Sequence, residues 1–141
     1  MWQLYLGLGA SAWALHMAFI KVVADKLPAA QITFLFYVVA LATTGLILLF
    51  SRSKPDFAAL AGNPKLLLLL AGAGLTIGLT DYFFTKGLAL GADVSTYAPL
   101  FSTIGLVLIA LIGMLWFGEV LTATKILGIA LCAAGFFLLV R

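Results

Sequence analysis

The chain has 141 residues, of which 65% are hydrophobic and only 9% are charged, and its mean hydropathy is +1.22. Water-soluble domains are about half apolar and about one quarter charged, so this composition excludes a soluble nucleic-acid-binding protein and leaves no room for a soluble catalytic domain. The formal net charge of +3 says little about partners. The apolar residues form long blocks, and a helix needs about 20 such residues to span a bilayer. We therefore expect an all-α integral membrane protein.

Five apolar blocks predict five transmembrane helices in a single domain covering residues 1–141. Short polar connectors with proline, glycine or charged residues separate them. The connector between the second and third blocks is the longest, and Pro55 and Asp56 favour a short helical turn there. No basic residue precedes the first block, which is too long for a signal-peptide core, so we expect this span to be retained. The predicted spans are residues 4–23, 30–50, 66–88, 96–117 and 122–140.

The basic residues do not decide the orientation of the chain. Five spans place the termini on opposite sides, and the loops then divide the eight lysines and arginines equally, four to each side. One interpretation is insertion in both orientations, which lets two copies pair antiparallel. The other is a weak bias from the basic residues of the long connector, with Lys21 and Lys86 too deep to count. The two sets are Arg52, Lys54, Lys65 and Lys125 on the side of the N-terminus, and Lys21, Lys26, Lys86 and Arg141 on the other.

Polar residues inside the spans are the candidate functional residues, because a charge in hydrocarbon costs roughly 2.5 to 3.5 kcal/mol on insertion scales. His16 and Asp81 each lie five residues before a lysine, in spans that run in the same direction, so the two side chains could meet. The lysines, Lys21 and Lys86, are expected to anchor the helices at the interface. The helical stripes that carry these residues are Gly9, Trp13, His16 and Ile20 in the first span, and Gly74, Gly78, Asp81 and Thr85 in the third.

Each of these residues also has a purely structural interpretation. Asp81 either binds a solute or transfers a proton, or it only stabilises helix packing by bonding to a lysine or to a tyrosine or threonine hydroxyl. His16 either contacts substrate and moves protons or forms an interhelical hydrogen bond. Trp13 either lines a cavity or packs against a neighbouring helix. Cys132 is expected to be a small apolar packing residue.

Glycine pairs predict where helices approach closely. Gly74 and Gly78 form a small-xxx-small pattern, which permits close backbone contact in membranes. Gly128 and Gly135 lie seven residues apart in the last span. Their shared face is expected to pack within the protomer or to form a dimer interface.

The last two spans resemble the second half of an EamA-type repeat of the drug/metabolite transporter superfamily. The resemblance is carried by the polar turn GAD before the fourth span, by Gly118 and Glu119 after it, and by the two glycines of the fifth span. In the first span, WALHMAFIK is similar to the family pattern of a tryptophan, small residues, a polar residue and a lysine. The last two spans also resemble those of the small multidrug resistance proteins. Coverage is essentially the full chain as one repeat.

Two departures from these patterns limit the resemblance. The family often has an arginine early in the second span, whereas this chain has Phe36 and Tyr37 in an uncharged ITFLFYVV segment. The small multidrug resistance proteins have a glutamate in the first span, which here contains no acid, and Asp81 is the residue that could substitute for it. Glu119 is expected to cap the fifth helix or to satisfy loop backbone rather than to carry protons.

The resemblance implies a secondary transporter for a small organic solute. Most EamA-type transporters contain two repeats in opposite orientation, so a single repeat would form an antiparallel homodimer and work by alternating access. No GxxxxGK[ST] nucleotide loop is present, so an ion gradient or exchange is the expected energy source, with protons or another ion as the coupling ion and no cofactor or metal. The prokaryotic inner membrane is the expected location. The expected cavity residues are Trp13, His16 and Asp81, with Phe36, Tyr37, Tyr97 and Ser102 as weaker candidates.

Three alternatives remain open at this point. The chain could be a membrane subunit that does not transport, or half of a heterodimer with a second, oppositely oriented chain. A membrane enzyme is the weakest alternative, because one histidine, few acids and one cysteine supply neither a metal cluster nor a nucleophile and base pair.

Overall fold

The computed structural model describes residues 2–51 and 62–139, which form five α-helices and no strand. Every helix boundary lies within two residues of the predicted one, because proline, glycine and charged residues interrupt the apolar blocks sharply. Residues 1, 52–61 and 140–141 lie outside this description, and with them the predicted turn after Pro55 and Asp56 and three basic residues of the charge tally. The helices are α1 (Trp2–Ala24), α2 (Ala29–Phe50), α3 (Pro64–Ala89), α4 (Val94–Phe117) and α5 (Ala123–Leu139).

The first four helices are long and apolar enough to cross a membrane. Their 22 to 26 residues correspond to roughly 33 to 39 Å at 1.5 Å per residue, which exceeds the hydrocarbon core of about 30 Å. The fifth helix is apolar but has only 17 described residues, at the lower limit for a span. The protein is therefore a multi-pass integral membrane protein, and the fifth crossing stays a prediction.

The chain divides into two compact units, Met1–Gly91 and Ala92–Arg141. In the first unit α3 packs against both α1 and α2, which also contact each other. In the second unit α4 packs against α5. The single five-helix domain expected from the sequence stays a prediction.

The first unit is tightly packed toward one end of its helices only. The buried residues lie in the second half of α1, the first half of α2 and the last third of α3. By contrast, every residue from 3 to 15 and from 62 to 77 is exposed. The unit is thus closed on the side where α1 ends and α2 begins, and uncovered on the other. Its buried hydrophobic side chains are Met17, Ile20, Ala24, Ile32, Phe84 and Leu88.

Local sequence explains the start of α3. Asn63 is its N-cap, and its side-chain oxygen accepts a hydrogen bond of 3.1 Å from the amide of Leu66. Pro64 occupies the first turn, where its missing N–H removes no helical hydrogen bond. These two residues end the connector and begin a 26-residue helix.

The turn between α4 and α5 corrects one expectation. Gly118 ends α4 in the left-handed region, with φ of 64°. The amide of Glu119 donates to the carbonyl of Gly113 at 3.0 Å, while its carboxylate lies so close to Gly113 that a Cβ there would be 3.1 Å from Oε2. The cap of α5 comes from Thr122, whose hydroxyl accepts from the amide of Lys125 at 3.3 Å. Of the two roles expected for Glu119, the capping of α5 is taken by Thr122, which directly precedes the helix and reaches its first turn, while the role in satisfying loop backbone stays a prediction.

Candidate functional site

Asp81 is joined to α2 by a hydrogen bond from a tyrosine. The hydroxyl of Tyr37 donates to Oδ2 of Asp81 at 2.5 Å, in a half-buried environment. A hydroxyl donor stabilises a carboxylate, and hydrogen bonds to charged groups contribute roughly 1.5 to 3 kcal/mol. Of the partners considered for Asp81 from the sequence, a tyrosine hydroxyl is the one that the structure provides.

An aromatic contact extends this pair to the first helix. The ring of His16 packs edge-on against Phe36, with ring centroids 5.1 Å apart and an interplanar angle of 79°. Phe36 and Tyr37 lie 4.6 Å apart at 33°. His16 and Asp81 form no direct hydrogen bond or ion pair in the described part of the chain, so the two aromatic rings bridge them. We call His16, Phe36, Tyr37 and Asp81 the polar layer.

The polar layer lies at one depth in the membrane. His16, Tyr37 and Asp81 are each eight residues from the helix end on the closed side of the unit, at Ala24, Ala29 and Ala89 respectively. Eight residues correspond to about 12 Å along a helix, so a hydrocarbon core of about 30 Å around these candidate spans would enclose the layer. The layer therefore sits where the packed end of the first unit meets its uncovered half.

Asp81 has a hydrogen-bond donor but no counter-charge among the described residues. Among the described residues, no lysine or arginine forms an ion pair with it. Lys86 lies instead over the ring of Tyr82, with Nζ 5.9 Å from the ring centroid. This cation–π contact near the end of α3 is consistent with the interface-anchor role expected for Lys86. A lysine pair is therefore not what holds Asp81 in the membrane.

Two buried threonines, each one helical turn from a residue of the polar layer, have no hydrogen-bond partner in the described part of the chain. Thr85 is fully buried and Thr33 is 8% exposed, yet the hydroxyl oxygen of neither has a partner. An unsatisfied buried polar group costs about 1 to 3 kcal/mol. Four other helical threonines avoid this cost by donating to the carbonyl four residues earlier. These four are Thr43, Thr44, Thr76 and Thr103.

The sequence analysis does not identify either threonine as a candidate site residue. Thr85 belongs to the polar stripe of α3 but was not predicted as a site residue, and Thr33 was not singled out at all. The available signal was spacing, since Thr33 lies one turn before Tyr37 and Thr85 one turn after Asp81.

An apolar cleft of about 770 Å³ adjoins the polar layer between α1 and α2. His16 and Phe36 line it, together with Thr43 and Thr44 farther along α2. A volume of this size is within the range of small-molecule sites, which are typically 300 to 1,000 Å³. Trp13, one turn before His16, is 44% exposed and stays a predicted cavity residue.

The second unit contains the two remaining predicted residues. Tyr97 is half-buried in α4, with its ring 6.3 Å from that of Phe101, and Ser102 is exposed. A groove of about 410 Å³ separates α4 and α5, and Cys132 is exposed along it. The solute-contacting roles of Tyr97 and Ser102 stay predictions.

Open space surrounds the four glycines that were predicted to pack closely. A Cβ built on any of the four predicted glycines would meet no atom within 4 Å. Their role in packing within the protomer or at a dimer interface stays a prediction. These glycines are Gly74, Gly78, Gly128 and Gly135.

The described residues contain no group of three His, Cys, Asp or Glu side chains that could hold a metal ion.

Comparison with known families matches residues 1–141 to the EamA-like transporter family. The chain belongs to this family. It is thus a membrane transporter protein, acting on a small-molecule solute in a lipid bilayer, in a family of transporters rather than enzymes.

A relative of this EamA-like transporter has nearly the same length. It is a Sinorhizobium sp protein named "Uncharacterized transporter in cobO 3'region", 31% identical over 138 residues that cover 98% of this chain and 95% of the relative. The relative thus has room for one repeat of this size. No solved structure matches the chain.

Proposed function

We propose that this EamA-like transporter carries a small organic solute across the membrane by alternating access, as an antiparallel homodimer. The observation that carries the proposal is the environment of Asp81. This residue lies about 12 Å along α3 from its C-terminal end at Ala89. It accepts a hydrogen bond from Tyr37 and has no basic partner among the described residues. An intramembrane carboxylate without a counter-charge is suited to exchange a proton, an ion or a polar solute group. The other members of the polar layer surround it with aromatic surface.

The uncovered half of the first unit supports the same proposal. Its helices are closed on one side of the polar layer and exposed on the other, so a solute reaching Asp81 would enter from the exposed side. Alternating access needs a second arrangement that opens to the opposite side. A second copy in inverted orientation supplies that arrangement by symmetry, as paired repeats do in longer transporters.

The balanced charge distribution is compatible with inverted pairing, because four basic residues fall on each side of the predicted topology. The proposed location is the bacterial inner membrane, in keeping with the bacterial relative. A heterodimer with a second, oppositely oriented chain is the runner-up, and a membrane subunit without transport activity is the alternative from another class.

Transport is tested with purified protein reconstituted into liposomes. Entrance counterflow is measured with a panel of radiolabelled amino acids, sugars, nucleosides and organic cations. We expect accumulation of at least one solute class, and we expect Asp81→Asn to slow it roughly tenfold or more. The matched control is Thr76→Val in the same helix, whose hydroxyl bonds only to its own helix backbone.

The non-transporting subunit predicts a different outcome. In that case no solute accumulates with the wild-type protein, and Asp81→Asn changes only stability or assembly. Retention of full transport by a well-folded Asp81→Asn variant would remove Asp81 from the transport site.

Orientation is tested with single cysteines on the two sides, in a Cys132→Ala background. Val120, in the loop before α5, and Leu90, at the end of α3, are 76% and 79% exposed and form a matched pair. Dual insertion predicts that an impermeant thiol reagent labels each site in about half of the molecules in intact cells. Complete labelling of one site and none of the other excludes the antiparallel homodimer and favours a second chain.

A further inference from the structure

Two buried hydroxyls, each one helical turn from the Tyr37–Asp81 pair, have no hydrogen-bond partner among the described residues. Thr33 and Thr85 are both more than nine-tenths buried, and neither hydroxyl oxygen is hydrogen-bonded. The helix carbonyl four residues earlier is the usual acceptor for such a hydroxyl, and Thr76 of the same helix α3 uses it. Burial without a partner is costly for a hydroxyl, so these two buried oxygens point to a ligand.

Helical spacing puts both hydroxyls on the helix faces that carry Tyr37 and Asp81. Thr85 follows Asp81 by four residues, and Thr33 precedes Tyr37 by four, so each lies one turn away on the same helix face. Because side chains lean toward the N-terminus of their helix, Thr85 is inclined toward Asp81. Successive membrane-crossing helices run in opposite directions, which brings Thr33 and Thr85 to the same level on the facing helices.

We propose that Asp81, Thr33 and Thr85 form a binding site for a monovalent alkali cation, with Na⁺ as the ion to test. The hydroxyl of Tyr37 occupies Oδ2 of Asp81, which leaves Oδ1 as the charged ligand. The two threonine oxygens supply neutral ligands. A role of this ion in driving transport rests on the proposed function, whereas its binding does not.

The chemistry of the cluster selects the type of ion. All its ligand atoms are oxygens, which suit hard cations rather than transition metals. One carboxylate carries one negative charge, whereas divalent Ca²⁺ sites combine several acidic ligands. A proton alone would neutralise Asp81 but would leave both threonine oxygens without partners. A monovalent cation compensates the charge and satisfies the hydroxyls together.

The test is ion-dependent thermal stability of the full-length protein in detergent. The unfolding temperature is measured by tryptophan fluorescence while NaCl replaces choline chloride at constant ionic strength and constant pH. We expect a saturable rise in unfolding temperature with Na⁺, as for any ligand that binds the folded state. Asp81→Asn is expected to abolish this rise.

The threonine variants separate the site from a general salt effect. Thr85→Val and Thr33→Val are each expected to raise the apparent Kd for Na⁺ about tenfold or more, while Thr85→Ser, which keeps the hydroxyl, stays near the wild type. Thr76→Val is the matched control and is expected to leave the Kd unchanged. If Thr85→Val does not fold, Thr33→Val and Thr85→Ser still decide the outcome.

Several results would overturn the proposal. One is equal stability of the wild type in Na⁺ and choline, and another is an unchanged Kd in both valine variants. Stabilisation by lower pH alone, without any response to Na⁺, would assign Asp81 to a proton. The counterflow assay keeps the two proposals apart: Na⁺ binding without solute transport overturns the proposed function only, and transport without Na⁺ binding overturns the cation site only.

Discussion

At the scale of single residues, each polar side chain in the membrane needs a partner that offsets the free-energy cost of removing it from water. Asp81 meets a hydroxyl donor, Lys86 lies over an aromatic ring, and four helical threonines bond to their own backbone. Thr33 and Thr85 are the buried polar residues of the described part of the chain, and neither hydroxyl has a hydrogen-bond partner there. Compensation is incomplete at the polar layer and in the helical turn beside it, which makes this region the candidate site.

The hydrogen bond between Tyr37 and Asp81 should be measurable as a coupling energy. We expect Tyr37→Phe to lower the free energy of unfolding by about 1 to 3 kcal/mol, because it leaves the carboxylate without its donor. In a double-mutant cycle with Asp81→Ala, the Tyr37→Phe cost should largely disappear. The cycle is read from reversible unfolding in mixed micelles.

Tyr82→Phe is the matched control for this cycle. Tyr82 lies next to Asp81 in α3, and its hydroxyl has no hydrogen bond within the described residues, so its removal should be nearly neutral. A cost for Tyr82→Phe similar to that of Tyr37→Phe would mean that general loss of a hydroxyl, and not the bond to Asp81, explains the effect.

At the scale of helices, boundaries follow from local chemistry, while packing does not. Caps and prolines begin the helices, and left-handed glycine ends α4 at Gly118. The faces of the helices are nearly uniform in hydrophobicity, so their sequence alone does not say which face is covered. Only the assembled helices reveal that the first unit is packed at one end and exposed at the other.

The cap of α3 gives a prediction at this scale. Asn63→Ala removes the acceptor for the amide of Leu66 and should lower the free energy of unfolding by about 1 kcal/mol. Asn63→Asp keeps an acceptor and adds a negative charge at a helix N-terminus, so it should be neutral or stabilising. Equal losses in the two variants, again measured in mixed micelles, would argue against a capping role.

Gly118 gives a second prediction for a helix end. Its φ of 64° is unfavourable for a residue with a Cβ, so Gly118→Ala should cost about 1 to 2 kcal/mol. Gly118→Asn should cost less, because asparagine tolerates this conformation. The same loss for both substitutions would place the cause in the surroundings of the turn rather than in its backbone conformation.

At the scale of the whole molecule, the exposed glycines and the uncovered half of the first unit both leave surface for a second copy. Gly128→Leu and Gly135→Leu should fold, since open space surrounds each glycine within the protomer. If the small-residue face of α5 forms the dimer interface, both variants should weaken dimerisation. Dimerisation is measured by single-molecule photobleaching or cross-linking in liposomes.

Gly7→Leu is the matched control for these variants, because Gly7 in α1 is equally open. Dimerisation that is unaffected by all three substitutions would place the dimer interface elsewhere. Loss of dimerisation in Gly7→Leu alone would place it on the first unit.

By itself, the sequence determined the membrane class, the helix boundaries to within two residues and the position of Asp81 as a candidate functional residue. Block hydrophobicity, helix-ending residues and the cost of a charge in hydrocarbon are all local properties, so they can be read along the chain. The equal depth of His16 and Asp81 also followed from counting residues, because a helix advances by a constant 1.5 Å per residue.

The tertiary structure alone decided which partner Asp81 uses and which hydroxyls remain unsatisfied. The sequence allows Lys21, Lys86 or a tyrosine hydroxyl as the partner of Asp81. That Tyr37 is the partner depends on how α2 and α3 face each other. Thr33 gained significance only when packing buried it without an acceptor. Rotation and tilt of apolar helices are set by contacts between residues far apart in the chain, and a nearly uniform apolar pattern does not encode them locally.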